Sequence, residues 1–296
     1  HTTYALESLD FLVVQDMFLT DTAKLADVVF PAAAFTEVDG FFTNSDRRVQ
    51  RIRKAANPPG DAMPDWWIIA HVAKRMTNDV HFDYENSEQV FDELASLSPI
   101  YAGLSYDRIE RGDLAWPVPE MDHPGTPILH EGEFLNGKGK LQLLNYVPPS
   151  ENPDEEYPFY LTTGRRLPTY HSNTMTGRSG GFRILVPNEW LEIHPADAEK
   201  LGLEDGDWSK ITSRRGEVIT RVAITKTSPR GTVFMSFAFP EEVMTNIVTN
   251  PEVDPQTETP EFKVAAVSIV RVEAPTGLGA SEALRANPDV EDPHLG

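Results

Sequence analysis

Apolar residues in the first hundred positions recur with both strand spacing and helix spacing, which is typical of an α/β fold. A continuous apolar run at residues 11–14 predicts a parallel strand buried on both faces. A capping-box pattern at Asn86 and Gln89 predicts the start of a helix. The predicted elements are a strand at 11–14, a helix at 21–26, a strand at 28–31, a helix at 64–76 with the core stripe Trp66, Ile69, Ala73 and Met76, and a helix at 87–97 with the apolar face Val90, Phe91, Leu94 and Leu97.

Regular periodicity fades between residues 99 and 149, where prolines and glycines are frequent. Strand patterns at 126–129 and 140–146 predict a hairpin, with Asn136-Gly137 as its turn. Prolines and acidic residues at 148–156 then predict a linker-like boundary.

Short strands dominate the second half of the chain, and strands at this spacing favour a barrel. Alternating or β-branched patterns predict strands at 159–161, 208–213, 217–225 and 232–238, and Pro195 and Gly202 bracket a predicted helix at 195–201. We therefore divide the chain into an α/β section at 1–98, a connector at 99–155, a mainly β domain at 156–273 and a tail at 274–296 that is predicted to be disordered.

Charge and cysteine content exclude several classes of function. A formal net charge of −20 argues against nucleic acid and against anionic membrane surfaces as partners. No apolar run approaches the ~20 residues of a membrane span, so we expect no membrane insertion and a soluble, cytoplasmic chain. The chain has no cysteine, which excludes thiolate metal sites and iron–sulfur ligation within it. His1 is not a start methionine and no secretory leader follows, which favours a piece of a larger protein.

One stretch concentrates hydrogen-bond donors in this acidic chain. Residues 159–178, FYLTTGRRLPTYHSNTMTGR, contain three arginines, one histidine and several hydroxyls, but no carboxylate. Guanidinium groups form paired hydrogen bonds with phosphate oxygens, so the stretch indicates an anion site. An equally good interpretation from the residues alone is a solvated turn whose arginines pair with acids elsewhere.

Three other polar groups are better explained by structure than by ligand binding. Gln15 and Asp16 follow the first predicted strand, where a ligand would sit in an open α/β sheet, but a cap or turn is the favoured interpretation of an isolated pair. The basic run from Arg47 to Lys54 suits a solvated strand or loop. His123 and His130 are isolated from other metal ligands and are interpreted as surface residues.

The motif TGR at 163–165, His171 six residues after Arg165, and TMT followed by Arg178 resemble the cofactor-binding domain of the molybdopterin oxidoreductase (DMSO reductase) superfamily. The likeness extends over residues 156–273, including DPQTETPEFKVAAVSIVRVE near the end. Residues 9–76 are also similar to that superfamily, with the catalytic (large) subunit of formate dehydrogenase as the nearest type.

This resemblance implies a double-psi β-barrel and a bis-molybdopterin guanine dinucleotide cofactor carrying molybdenum or tungsten. The residues that the resemblance places beside the cofactor are Gln15, Asp16, Thr163, Gly164, Arg165, His171, Ser172, Thr176, Asn246 and Lys263. The metal ligand, the catalytic residues and any iron–sulfur cluster are expected outside this chain. We therefore assign no catalytic and no metal-binding residue here, and expect the chain alone to be inactive.

The function implied is that of the C-terminal part of a formate dehydrogenase catalytic subunit, which oxidises formate to carbon dioxide and passes electrons to iron–sulfur clusters. Two alternatives stay open. One is another enzyme of the superfamily, such as a nitrate reductase or the large subunit of an NADH dehydrogenase. The other is a non-catalytic molybdopterin-binding module. Expected partners are the N-terminal remainder of the same subunit and iron–sulfur or NAD-reducing electron-transfer subunits.

Overall fold

A computed structural model describes residues 2–77, 82–112 and 114–275. The chain divides into two compact units, His1–Gln142 and Leu143–Gly296. The predicted disordered tail falls almost entirely outside the described residues. In the part of the chain that the structure describes, no helix is long and apolar enough to cross a membrane.

The first unit combines short helices with two small sheets. Strands β1 and β2 pair in parallel, whereas β3, β4 and β5 form an antiparallel sheet. The elements are α1 Thr2–Glu7, β1 Val13–Asp16, α2 Asp21–Lys24, β2 Val28–Pro31, β3 Gly40–Thr43, β4 Arg48–Ile52, α3 Asp65–Met76, α4 Ser87–Leu97, α5 Tyr106–Arg111 and β5 Leu114–Ala115. Its core includes Val49, Phe91 and Val118, all with no exposed surface. The α/β character of this section is confirmed.

Two details of the first strand and first long helix differ from the prediction. The strand is parallel but not buried on both faces, because β1 pairs only with β2 among the described strands and Phe11 is 63% exposed. The predicted stripe on α3 is wrong, since Ile68 and Ala70 are buried whereas Met76 is 80% exposed. Apolar residues occupy positions 66–70 of this helix without a break, so spacing alone does not select the face that packs.

The apolar face predicted for α4 is also only partly correct. Phe91 and Ala95 are buried, but Leu97 is 75% exposed. The start of the helix is as predicted, because the Asn86 side chain accepts a hydrogen bond from the Gln89 amide at 3.0 Å.

The basic run of the first unit has structural partners. Arg51 lies 4.1 Å over the Tyr106 ring and donates to the Gly40 carbonyl at 3.0 Å. Arg47 donates to the carbonyls of Thr126 and Pro127 at 3.0 and 3.1 Å. The structural interpretation of this run is confirmed.

The predicted hairpin in the connector does not form. Phe134 and Gly137 exchange two backbone hydrogen bonds, so the turn at Asn136-Gly137 exists. Residues 140–149 carry no strand, and their side chains have no partner strand to pack against. The alternating pattern at 140–146 therefore wrongly predicted a paired strand.

The second unit is built around a closed barrel of six strands, in the order β10-β6-β11-β8-β9-β7. Its elements are β6 Phe159–Gly164, α6 Gly180–Leu185, β7 Trp190–Ile193, α7 Pro195–Leu201, β8 Trp208–Thr212, β9 Glu217–Ile224, β10 Thr232–Ser236 and β11 Ala265–Arg271. Alternate residues of each strand point inward, and Leu161, Leu191, Ile211 and Val233 fill the interior with at most 1% exposure. The predicted barrel is confirmed.

Residues 148–156, predicted to be linker-like, are bound to this barrel. Glu151 pairs with Arg214 at 2.7 Å and accepts a hydrogen bond from the Ala266 amide at 3.0 Å. The buried amide of Asn250 donates to the Ser150 hydroxyl at 2.6 Å. The proline-rich composition thus gives an ordered strap and not a free linker, because its acids meet arginines of a distant turn.

The barrel also contains a carboxylate that makes its stability depend on pH. Asp197, in α7, is 3% exposed and accepts hydrogen bonds from the Gly231 amide at 2.7 Å and from Lys200 at 3.1 Å. Although burial favours the neutral acid, these donors hold the pKa of Asp197 below its ordinary value. A lowered pKa stabilises the fold above the unfolded value of ~3.9, and this contribution is lost as pH falls through the folded value.

We therefore expect the free energy of unfolding to fall below about pH 4 more steeply in the wild type than in Asp197→Asn. Urea denaturation between pH 7 and pH 3 measures this slope. Glu199→Gln, at an exposed position on the same helix, is the control and should keep the wild-type slope. An unchanged slope in Asp197→Asn would show that this carboxylate is not a stabilising charge.

Candidate functional site

The carboxyl end of β6 opens onto a cleft of about 610 Å³ in the barrel unit. Three separate segments reach it, namely the end of β6 with the loop after it, the loops after β10, and the turn before β11. The residues that line it are Gly164, Arg165, His171, Ser172, Phe237, Asn246, Phe262 and Lys263. Six of these eight are residues that the sequence predicts beside a cofactor.

Reciprocal hydrogen bonds hold the end of β6 against the turn before β11. The Thr163 hydroxyl donates to the Phe262 carbonyl at 2.9 Å, and the Lys263 ammonium donates to the Thr163 carbonyl at 3.0 Å. Gly164 follows directly, and a Cβ at this position would lie 2.8 Å from Cε2 of Phe234. The backbone therefore bends past the Phe234 ring at a point where glycine leaves room.

The loop after β6 is a compact turn that displays His171. The Thr176 hydroxyl accepts a hydrogen bond from the Tyr170 amide at 3.0 Å and donates to the Asn173 side chain at 2.5 Å. His171 and Asn173 adopt left-handed backbone conformations, with φ of 51° and 64°. Such conformations are uncommon outside glycine and concentrate at functional sites, where the surrounding hydrogen bonds maintain them.

Three of the polar side chains that line the cleft have no hydrogen-bond partner within the described residues. Within the described residues, the side chains of Arg165, His171 and Asn246 form no hydrogen bond or ion pair, and all three are exposed. Arg166 is the opposite case, since it is 8% exposed and pairs with Glu189 at 2.8 Å and with Glu192. Of the two adjacent arginines, only Arg165 is available to a ligand.

The donor set of the cleft suits an anionic, aromatic ligand. Arg165 and Lys263 supply two positive charges, and none of the described residues that line the cleft is a carboxylate. Phe237 and Phe262 form one wall, with ring centroids 5.5 Å apart and an edge-to-face orientation. Guanidinium and ammonium groups bind phosphate oxygens, the Asn246 amide matches the edge of a heterocycle, and the phenyl rings offer apolar contact.

Comparison with known families agrees with this chemistry. Residues 159–266 match the family described as the Molydopterin dinucleotide binding domain, and residues 1–75 match the family described as Molybdopterin oxidoreductase. The chain joins a molybdopterin oxidoreductase segment to a molydopterin dinucleotide-binding domain. The cleft lies in this dinucleotide-binding domain, which is a domain type that holds a molybdopterin cofactor.

Several curated relatives carry the name formate dehydrogenase. The chain is 47% identical to the F420-dependent formate dehydrogenase subunit alpha of Methanocaldococcus jannaschii and 46% identical to the F420-dependent formate dehydrogenase 2 subunit alpha of Methanococcus maripaludis, each over 92% of this chain. It is 37% identical to the putative formate dehydrogenase YrhE of Bacillus subtilis over 97% of this chain. The alignments cover 41%, 40% and 29% of these relatives, so the chain spans less than half of their length.

A solved structure has the same fold. Acetylene hydratase from Pelobacter acetylenicus superposes with a TM-score of 0.72 over 91% of this chain and 41% of its own, at 20% sequence identity. At this identity the likeness concerns the fold alone.

Four sequence-predicted residues do not line the cleft. Thr163 and Thr176 use their hydroxyls in the local hydrogen bonds described above. Gln15 and Asp16 belong to the other unit, at the end of β1, where Gln15 donates to Asp65 and Asp16 accepts from the Phe18 amide at 3.0 Å. A role for Gln15 and Asp16 beside a cofactor arm stays a prediction.

Sequence reasoning missed the aromatic wall. Phe262 directly precedes Lys263, and Phe237 directly follows β10. Phe237 lies near the end of the predicted strand at 232–238, and Phe262 adjoins the predicted cofactor-binding residue Lys263, and these positions were the available signal. In the ranges 2–77, 82–112 and 114–275, no group of three or more His, Asp or Glu side chains is arranged to hold a metal ion.

Proposed function

We propose that this chain is the cofactor-binding C-terminal part of a formate dehydrogenase catalytic subunit. The observation that carries the proposal is the cleft, in which uncommitted donors and two positive charges converge in a chain of net charge −20. The relatives named formate dehydrogenase, which align over more than nine tenths of the chain, support the reaction class.

Different residues of the cleft would bind different parts of the cofactor. Arg165 and Lys263 would hold phosphate oxygens, while Asn246 and His171 would hydrogen-bond to the edge of the pterin or to a phosphate. Ser172 would add a neutral donor. When bound, bis-molybdopterin guanine dinucleotide with molybdenum or tungsten supplies the two-electron oxidation of formate, and the chain supplies position and charge.

The proposal includes the N-terminal remainder of the subunit as the main partner. Residues 135–147 include six apolar side chains that are at least 80% exposed, namely Leu135, Leu141, Leu143, Leu144, Tyr146 and Val147. Apolar runs of this kind normally mark a contact surface. Since the relatives are more than twice as long as the chain, we propose that upstream sequence covers this run. Iron–sulfur or NAD-reducing subunits and a cytoplasmic location complete the proposal.

The test is to purify the native protein that carries this chain and to measure bound pterin, metal and formate-dependent dye reduction. We expect all three. Nitrate reduction without formate oxidation would favour another enzyme of the family, and bound pterin without turnover of either substrate would favour a cofactor-carrying module. A protein free of pterin would contradict the proposal.

A separate prediction concerns the 296-residue chain expressed by itself. It has no cysteine for a metal thiolate or an iron–sulfur cluster, so we expect no formate oxidation even after incubation with cofactor and metal. The measurement is formate-dependent dye reduction by the pure chain. Activity above that of a cofactor-only blank would show that the catalytic residues lie within these 296 positions.

His171 gives a further prediction, because its side chain faces the cleft without a partner among the described residues. Replacement by alanine would leave a cofactor acceptor unpaired, at a cost of about 1–3 kcal/mol and a several-fold to hundredfold weaker retention. His171→Gln keeps one donor and should retain most of the cofactor. Pterin per protein in the two variants is the measurement, and full retention in both would make His171 a surface residue without a ligand.

A further inference from the structure

A chain of buried polar groups adjoins, along the sequence, residues that line the cleft. We define it as the support network of Arg166, Glu189, Ser236 and Thr245. Glu189 is its centre, with a side chain that has no exposed surface. Its carboxylate accepts hydrogen bonds from Arg166 at 2.8 Å, from the Trp190 amide at 3.1 Å, and from both the amide and the hydroxyl of Ser236.

The network continues from Ser236 to Thr245, which precedes Asn246 of the cleft. The Thr245 hydroxyl donates to the Ser236 carbonyl at 2.7 Å, and Thr245 is 2% exposed. Arg166 is also held from the side, because its guanidinium lies 3.8 Å over the Trp190 ring. Burial raises the pKa of Glu242, whose carboxyl accepts a hydrogen bond from the Glu189 amide at 3.3 Å. Two carboxyl groups, those of Glu189 and Glu242, and the donors that bind them therefore lie close together in the barrel unit.

Three members of this network are the direct neighbours, in sequence, of residues that line the cleft. Arg165 precedes Arg166, Phe237 follows Ser236, and Asn246 follows Thr245. Consecutive Cα atoms are separated by a fixed ~3.8 Å, so a buried side chain that cannot move also fixes the backbone of the next residue. The three cleft segments thus share one internal support, although they come from distant parts of the sequence.

We propose that Glu189, Ser236 and Thr245 are positioning residues that order the cleft before a ligand binds. The inference rests on the proposed function for the identity of the ligand, a molybdopterin dinucleotide. Exposed donors such as Arg165 and Asn246 lose conformational freedom on binding, and a backbone that is already ordered lowers this cost. The network acts through its neighbours and touches no ligand itself.

The test compares two buried serines in the native protein. Ser236→Ala removes a hydroxyl from the network. Ser209→Ala removes a hydroxyl that donates to the Thr220 carbonyl at 3.2 Å, in β8, with no neighbour at the cleft. Similar losses of melting temperature are expected from both. Thr245→Val and Thr245→Ser form a second pair, in which only serine keeps the hydroxyl and should restore the wild-type behaviour.

Two readouts separate positioning from simple stability. The first is the rate at which bound pterin is lost on dilution, which should be roughly three- to tenfold faster in Ser236→Ala and Thr245→Val than in Ser209→Ala and Thr245→Ser. The second is amide hydrogen exchange of ligand-free protein in peptides that contain Arg165, Phe237 and Asn246. Exchange there should be faster in the same two variants only.

The outcomes distinguish this inference from the proposed function. Equal pterin loss in Ser236→Ala and Ser209→Ala, or unaltered exchange at the cleft, would overturn the positioning role. A wild-type protein without pterin would overturn the proposed function instead, and exchange would then decide the inference alone. Faster exchange in the two network variants would still support ordering of the cleft, and unaltered exchange would still refute it.

Discussion

Replacing Glu189 by alanine is expected to destabilise the barrel by about 3–5 kcal/mol, because it removes one of the two carboxylates paired with the buried Arg166 and leaves the buried donors of Ser236 without their acceptor. The Nε of Arg166 has no partner among the described residues, and in the variant its guanidinium would keep only Glu192 and the Trp190 carbonyl as acceptors. The measurement is the free energy of unfolding by urea at pH 7. Glu199→Ala, at an exposed position in the same domain, is the control and should change it by less than about 0.5 kcal/mol.

A double variant sharpens this prediction. Replacing Arg166 and Glu189 by apolar residues of similar size removes the buried guanidinium and leaves only the partly exposed Glu192 without its partner, so Arg166→Met with Glu189→Leu should be more stable than Glu189→Ala. Recovery of this kind would identify the buried charge as the cause of the loss. If Glu189→Ala costs less than about 1 kcal/mol, the buried pair is not a main stabilising feature of the barrel.

The second large effect is expected from Arg165→Ala, which should weaken the retention of the cofactor. Losing a charged hydrogen bond to a phosphate should cost about 1.5–3 kcal/mol, which corresponds to roughly ten- to more than hundredfold weaker cofactor retention. Arg48→Ala is the matched control, because Arg48 pairs with Asp46 at 2.8 Å on the surface of the other unit, where ion pairs contribute little. Pterin per protein after purification is the measurement, and equal content in the two variants would refute the assignment of Arg165.

Arg165→Lys tests the geometry of the same contact. Lysine keeps the positive charge but lacks the planar pair of donors that a guanidinium directs at two oxygens. We expect retention between that of the wild type and that of Arg165→Ala. Loss as large as with alanine would mean that the paired geometry, more than the charge, holds the ligand.

The parts of the fold that sequence reasoning predicted well are those that local chemistry determines. Helix α7 has the predicted bounds because Pro195 favours its first turn and Gly202, with φ of 65°, ends it. Strands β8, β9 and β10 follow their alternating patterns to within two residues at each end. These signals depend on residues that are close in the sequence, so they predict the elements without knowledge of the tertiary structure.

The predictions were incomplete or wrong where contacts between residues distant in the sequence determine the structure. Nothing local to Arg166 shows that Glu189 and Glu192 will meet it, so from the residues alone the donor run indicated an anion site and arginines paired with distant acids equally well. In the same way, the acids of residues 148–156 indicated a linker because their arginine partners lie about sixty positions later. The candidate site could be predicted because the family resemblance pointed to Asn246 and Lys263. Sequence spacing alone does not show that these residues lie near Arg165.

The central claim is that the cleft at the end of β6 holds a molybdopterin dinucleotide. An experimental structure of the native protein with its bound cofactor is the most direct measurement. The account predicts pterin or phosphate atoms within hydrogen-bond distance of Arg165, Asn246 and Lys263, beside the Phe237 and Phe262 rings. A cofactor bound elsewhere, with these five side chains in contact only with solvent, would contradict it.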